Sequence, residues 1–76
     1  MIRTYALPLT PDQSSALEHI AYDHAKSVLT VTFRRGHAYE YTGISLALAL
    51  GLLRAESKGK YYNRVFRGLP SKEVII

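Results

Sequence analysis

The chain has 76 residues, enough for one small domain, and no cysteine, so neither a disulfide framework nor a thiolate zinc site is open to it. Apolar residues make up 47% of the chain, yet no run approaches the length of a membrane span, and residues 1–15 lack the apolar core of a signal peptide; a soluble, cytoplasmic protein with no membrane partner is expected. Ten Lys and Arg against six Asp and Glu give a net charge of +4, which favours anionic partners.

Residues 1–15 carry Pro8, Pro11, Asp12, Ser14 and Ser15, the punctuation of an extended arm and a turn. Residues 16–23 (ALEHIAYD) form the first predicted strand, anchored by Leu17, Ile20 and Tyr22. The polar DHAKS reads as a hairpin connection. Residues 28–34 (VLTVTFR) are β-branched and alternate, with Leu29, Val31 and Phe33 on one face. RRGH supplies a glycine turn. Residues 38–42 (AYEYT) are the third strand, with Tyr39 and Tyr41 on one face and Glu40 opposite, where it can pair with Arg34 or Arg35. Short connections imply an antiparallel meander.

Residues 44–57 alternate leucine with small residues, a period that would suit a strand, but contain no β-branched residue after Ile44. Ala, Leu, Arg and Glu favour a helix running to about Ser57, with Ser45 as N-cap and Gly59 just past its end. Leu46, Leu50 and Leu53 fall on one side; Leu48, Leu52 and Ala55 fall nearly opposite. Such a helix needs cover on two sides, from the sheet and from either the last helix or a second subunit. A second short helix is expected over residues 60–68, with Tyr62, Val65, Phe66 and Leu69 facing the core. Pro70 ends it, and the KEVII tail is β-prone. The fold class is therefore α+β: a three-stranded antiparallel meander followed by two helices, with a further C-terminal strand available from the tail. The expected organisation is an arm over 1–15, a domain over 16–70 and a tail over 71–76.

Between positions 54 and 67, five cations (Arg54, Lys58, Lys60, Arg64 and Arg67) meet only Glu56. On a regular helix Lys60, Arg64 and Arg67 form one stripe. Ser57, Gly59 and Asn63 add hydroxyl, backbone N–H and amide donors near the start of the second helix, where free N–H groups favour anions. Arg offers a planar fork for phosphate and Lys a point charge. Tyr61 lies beside the stripe, and Tyr39 and Tyr41 share a sheet face; exposed, such rings stack on bases, and buried they serve the core. The competing reading is a tight interhelical turn in which Ser57 and Asn63 cap and the cations solubilise.

For catalysis the residues offer little. His19, His24 and His37 are scattered over the strands, and a metal site needs three converging ligands. No nucleophile elbow, phosphate-binding glycine loop or paired-carboxylate pattern occurs. No enzyme activity, cofactor or metal is expected.

SSALEHIAYD, LTVTFRRGHAYEYTG with its Tyr39-x-Tyr41, and AESKGKYYN together resemble the KTSC domain family, a small module found alone or at the C-terminus of some lysyl-tRNA synthetases. The resemblance spans roughly residues 14–68. Ala21, Ile44-Ser45 and Phe66 depart from the family pattern at positions that touch packing and the start of the first helix. It implies a small module for which RNA binding has been suggested, and no reaction.

The resulting expectation is a non-catalytic binding module for a phosphate-bearing ligand, either RNA or a small nucleotide. Its candidate ligand-binding residues are Ser57, Lys58, Gly59, Lys60, Tyr61, Asn63, Arg64, Arg67, Tyr39 and Tyr41. A chain this small cannot enclose a large ligand, so a nucleotide pocket between the subunits of a homo-oligomer is expected, as in the nucleotide-sequestering proteins that phages encode. The alternative is a protein–protein adaptor or structural oligomer, which the two-sided helix and the apolar tail favour.

Overall fold

A computed structural model describes residues 4–10, 12 and 14–74. Five strands form one antiparallel sheet in the order in which they occur: β1 (Thr4–Pro8), β2 (Leu17–Asp23), β3 (Val28–Phe33), β4 (Ala38–Tyr41) and β5 (Lys72–Val74). Between β4 and β5 the chain makes α1 (Leu46–Arg54), then α2 (Lys58–Tyr61), which runs on without a break into a π-helical turn over Tyr62–Phe66.

The meander and its hairpins lie where alternation and turn residues place them. In the β2–β3 hairpin Asp23 Oδ1 accepts from the backbone N–H of Ala25 and Lys26, an Asx turn that lets Ser27 adopt φ 57°. Gly36, at φ 93°, closes the β3–β4 hairpin, and Gly43, at φ 70°, turns the chain off the sheet. Leu17, Ile20 and Tyr22 are all buried although a strict period of two separates Leu17 from the other two. The β2–β3 register shifts between Leu17 and His19, and that irregularity returns Leu17 to the core face.

The core lies between one face of the sheet and the helices. Ile20, Tyr22, Leu29, Val31 and Tyr41 meet Ala49, Leu52, Tyr62 and Phe66 in one buried cluster. Ile44 links the layers: its N–H donates to Ser27 O at 2.9 Å and its carbonyl accepts the Tyr22 hydroxyl at 2.5 Å.

Several expectations change. The extended arm is itself part of the sheet, because Thr4–Pro8 pairs with β2 as an edge strand; Pro8 is tolerated there because an edge leaves one side of the backbone unpaired. The tail supplies the further C-terminal strand open to it, β5 on β4, and with β1 the sheet has five strands. Ser45 caps α1, accepting from Leu48 N at 3.3 Å, but the helix stops at Arg54 because Ala55 turns extended. Gly59 therefore lies inside α2 and does not end α1. Leu69 is 37% exposed, outside the core expected for it. The second side of α1 is covered in part from within the chain: the Tyr61 ring lies against Gly51 and its hydroxyl reaches Leu48 O, while Leu48 itself stays 36% exposed.

Candidate nucleotide-binding groove

Phe33 ends β3 and Tyr39 and Tyr41 alternate along β4, so all three project toward the helix side of the sheet. Phe33 packs edge-on against Tyr39 at 5.8 Å and against Tyr62 at 5.3 Å. Tyr41 meets Tyr62 at 6.2 Å between ring centres, and their hydroxyls share a hydrogen bond of 2.5 Å. Burial, and then the bond to Tyr41, hold the Tyr62 phenol well above its usual pKa range, so the Tyr62 hydroxyl keeps its proton at physiological pH.

Three hollows adjoin this aromatic group. The first, about 420 Å³, is lined by Ser15, Ala16, Phe33, Arg34, Arg35, His37 and Tyr39. The second, about 350 Å³, is lined by Phe33, Tyr39, Tyr41, Tyr62, Asn63, Arg67 and Ser71. The third, about 440 Å³, is lined by Asp12, Ser14, Ser15, Ala16, Ser57, Gly59, Lys60 and Asn63. Phe33 and Tyr39 border the first two, Asn63 the second and third, and Ser15 and Ala16 the first and third. The three hollows thus adjoin one another along an open groove, with Arg34 and Arg35 bordering the first, Arg67 the second, and Phe33 and Tyr39 both of these.

The expected cationic stripe is divided. At about 100° per residue, positions 62 and 67 of an α-helix would lie roughly 140° apart. Here Arg67 N–H donates to Tyr62 O at 3.0 Å, an i→i+5 bond that stacks the two residues on one side. The π turn thus carries Arg67 to the aromatic hollow. Lys60 borders the third hollow, and Arg64 lies over the Tyr61 ring at 5.8 Å, a cation–π distance.

Lys58 is not part of a solvent-facing stripe: it is 9% exposed, and its ammonium donates to Ala55 O at 2.9 Å, just past the C-terminus of α1. Tyr61 is half-buried on α1 instead of free beside the cations. Ser57 precedes α2, but its side chain makes no capping bond there. Ser57 and Gly59 share their hollow with Asp12, a carboxylate that opposes anion binding. Tyr41 is buried and Tyr39 half-buried.

The groove also uses Phe33, Arg34 and Arg35, which the sequence reading left out of the site. Arg34 is fixed: Nε donates to Ser14 O at 3.1 Å and Nη2 to Leu9 O at 2.7 Å, stapling the 9–16 loop to the sheet. It does not pair with Glu40, which stands opposite Thr30 and Lys72 in the ladder. His37 Nδ1 meets Glu73 Oε2 at 3.0 Å on β5. Among the described residues no three metal-ligating side chains gather, and no carboxylate forms an ion pair with Arg35, Lys60, Arg64 or Arg67.

A five-stranded meander closed by a helical insertion before its last strand, with a groove at the helix–sheet junction, defines the class of small α+β domain to which the chain belongs. The profile of the KTSC domain family matches residues 13–69. The crystal structure of a KTSC domain protein from Yersinia pestis superposes with a TM-score of 0.81 at 26% identity, covering 93% of this chain and 97% of that one. An uncharacterized protein of Stutzerimonas stutzeri is 36% identical over 55 residues, 72% of this chain and 78% of its own length. A lysine–tRNA ligase of Nostoc punctiforme is 30% identical over 63 residues, 83% of this chain but 11% of the ligase. The chain belongs to the KTSC domain family. Among the described residues no helix is long and apolar enough to cross a membrane.

Proposed function

We propose that the protein is a non-catalytic binding module that takes a phosphate-bearing ligand, a nucleotide either free or within single-stranded RNA, in the groove at the helix–sheet junction. One observation carries this reading: Phe33 and Tyr39 border two adjoining hollows, one lined by Arg34 and Arg35 and the other by Arg67. Half-buried aromatics flanked by cations are the arrangement that stacks bases and holds the backbone between them. Among the described residues Asp12 is the only carboxylate lining the three hollows, in the one that Phe33 and Tyr39 do not border, so the groove's charge favours an anion along most of its length. With no ion pair holding Arg35 or Arg67 among the described residues, both guanidinium groups are available to phosphate.

The test is fluorescence-anisotropy titration with a labelled single-stranded hexauridylate and with a nucleotide, across a salt series. Binding weakens as salt rises, with each phosphate contact adding about 0.7 to the log–log slope for a single strand. Tyr39→Ala and the double change Arg35→Ala with Arg67→Ala abolish it while circular dichroism stays native. Wild-type protein that binds neither probe at low salt overturns the reading. Native mass measured with and without ligand decides whether copies associate on binding.

A further inference from the structure

The Tyr41 and Tyr62 hydroxyls hold two protons, and the 2.5 Å bond between them uses one. Among the described residues each hydroxyl has the other as its partner, which leaves the pair one further proton to donate. Both side chains are at least nine-tenths buried, at 2% and 9% exposure, and both line the hollow that Arg67, Asn63 and Ser71 complete. No buried side-chain polar atom among the described residues lacks a partner, so this proton is spare capacity, and the hollow that both tyrosines line is where an added acceptor would meet it. The hollow's charge is equally specific: among the described residues it has one guanidinium, no carboxylate and otherwise neutral side chains.

We propose that this hollow seats a single phosphodiester group, with Arg67 supplying the one positive charge and the Tyr41–Tyr62 pair donating its spare proton to a phosphate oxygen. A phosphodiester carries one negative charge and matches one guanidinium; a terminal phosphomonoester, with nearly two, would leave charge uncompensated in a half-closed site. The preferred ligand therefore carries an internucleotide linkage, whether in a linear single strand or in a cyclic dinucleotide. The π turn is what makes the seat, because it aligns Arg67 with Tyr62. This assignment rests on the groove being the nucleotide site proposed above.

The experiment measures binding of hexauridylate, a cyclic dinucleotide and adenosine 5′-monophosphate to the full chain and to Tyr62→Phe, Arg67→Gln and Tyr39→Ala. Tyr62→Phe keeps the ring and removes the hydroxyl; Arg67 is exposed, so Arg67→Gln keeps the fold. We expect at least one of the two diester probes to bind more tightly than the monophosphate. Tyr62→Phe should weaken that probe about tenfold without changing the salt slope. Arg67→Gln should weaken hexauridylate similarly and lower its slope by about 0.7. Whichever diester binds identifies the source as linear or cyclic. If Tyr62→Phe and Arg67→Gln bind like wild type while Tyr39→Ala does not, the groove stands and the seat is wrong. If the monophosphate binds as tightly as the diesters, the charge match is wrong. If wild type binds none of the three, the groove reading falls and the seat falls with it.

Discussion

Arg34 and Lys58 each set a cation against backbone carbonyls, and in both cases the cation holds the fold. Lys58 closes the turn after α1 on Ala55 O, where the helix dipole is negative. Lys58→Met should cost about 1–2 kcal/mol in urea denaturation and leave ligand affinity unchanged. Arg34 spans two carbonyls 2.7 and 3.1 Å away, which a single ammonium cannot reproduce. Arg34→Lys should therefore destabilise by about 1 kcal/mol, again in urea, and speed hydrogen exchange in the 9–16 loop. Tyr62 gives a pH signature. Its folded pKa is raised by burial and by Tyr41. Below the unfolded tyrosine value of about 10 both states hold the proton and this contribution is complete. As pH climbs past that value the unfolded chain ionises first, and stability falls. Thermal melts should show an alkaline loss that Tyr62→Phe reduces.

The elements show how neighbours override local preference. Gly51 sits inside α1, where alanine would normally add up to about 1 kcal/mol. Here a Cβ would meet the hydroxyl and ring of Tyr61. Gly51→Ala should instead destabilise by about 1–3 kcal/mol, and Tyr61→Ala in the same chain should remove most of that penalty, a coupling visible in a double-mutant cycle. Ser27 is the reverse case: its left-handed backbone costs strain that glycine lacks, so Ser27→Gly should be neutral or stabilising by about 0.5 kcal/mol in thermal denaturation. The strands β2 to β4 and the start of α1 were legible because Val28–Phe33 alternates cleanly and Ser45 precedes a run of strong helix formers. The edge strand β1 was not, since Thr4–Pro8 is short, contains Pro8 and has its pairing supplied by β2. The π turn was not legible either: nothing in YNRVF marks it, and the regular helix assumed for Lys60, Arg64 and Arg67 put them on one face.

At the scale of the molecule, stability is graded from the centre of the sheet outward. β3 lies between two neighbours and under the aromatic cluster, whereas β1 and β5 are edges and β5 has three residues. Native-state hydrogen exchange should protect β2, β3 and β4 amides most and β5 least. The exposed His37–Glu73 pair contributes little, so Glu73→Gln should leave the melting temperature within about a degree. The groove lies where the sheet, the loop after β1 and the π turn meet, so its residues come from four stretches of chain.

By itself the sequence determined the chemistry available to this protein: a single cysteine-free domain, a basic aromatic segment near its C-terminus, an antiparallel meander and the residues that carry the KTSC family pattern. These depend on composition, alternation and local turn geometry, which act over a few residues. Only the tertiary structure decided where each cation sits. It buried Lys58 against a carbonyl, laid Arg64 on Tyr61, fixed Arg34 to the N-terminal loop and brought Arg35 and Arg67 to two hollows that Phe33 and Tyr39 both border. Such placement depends on strand register and on a single change of helical hydrogen-bonding step, and neither leaves a trace in the spacing of residues along the chain.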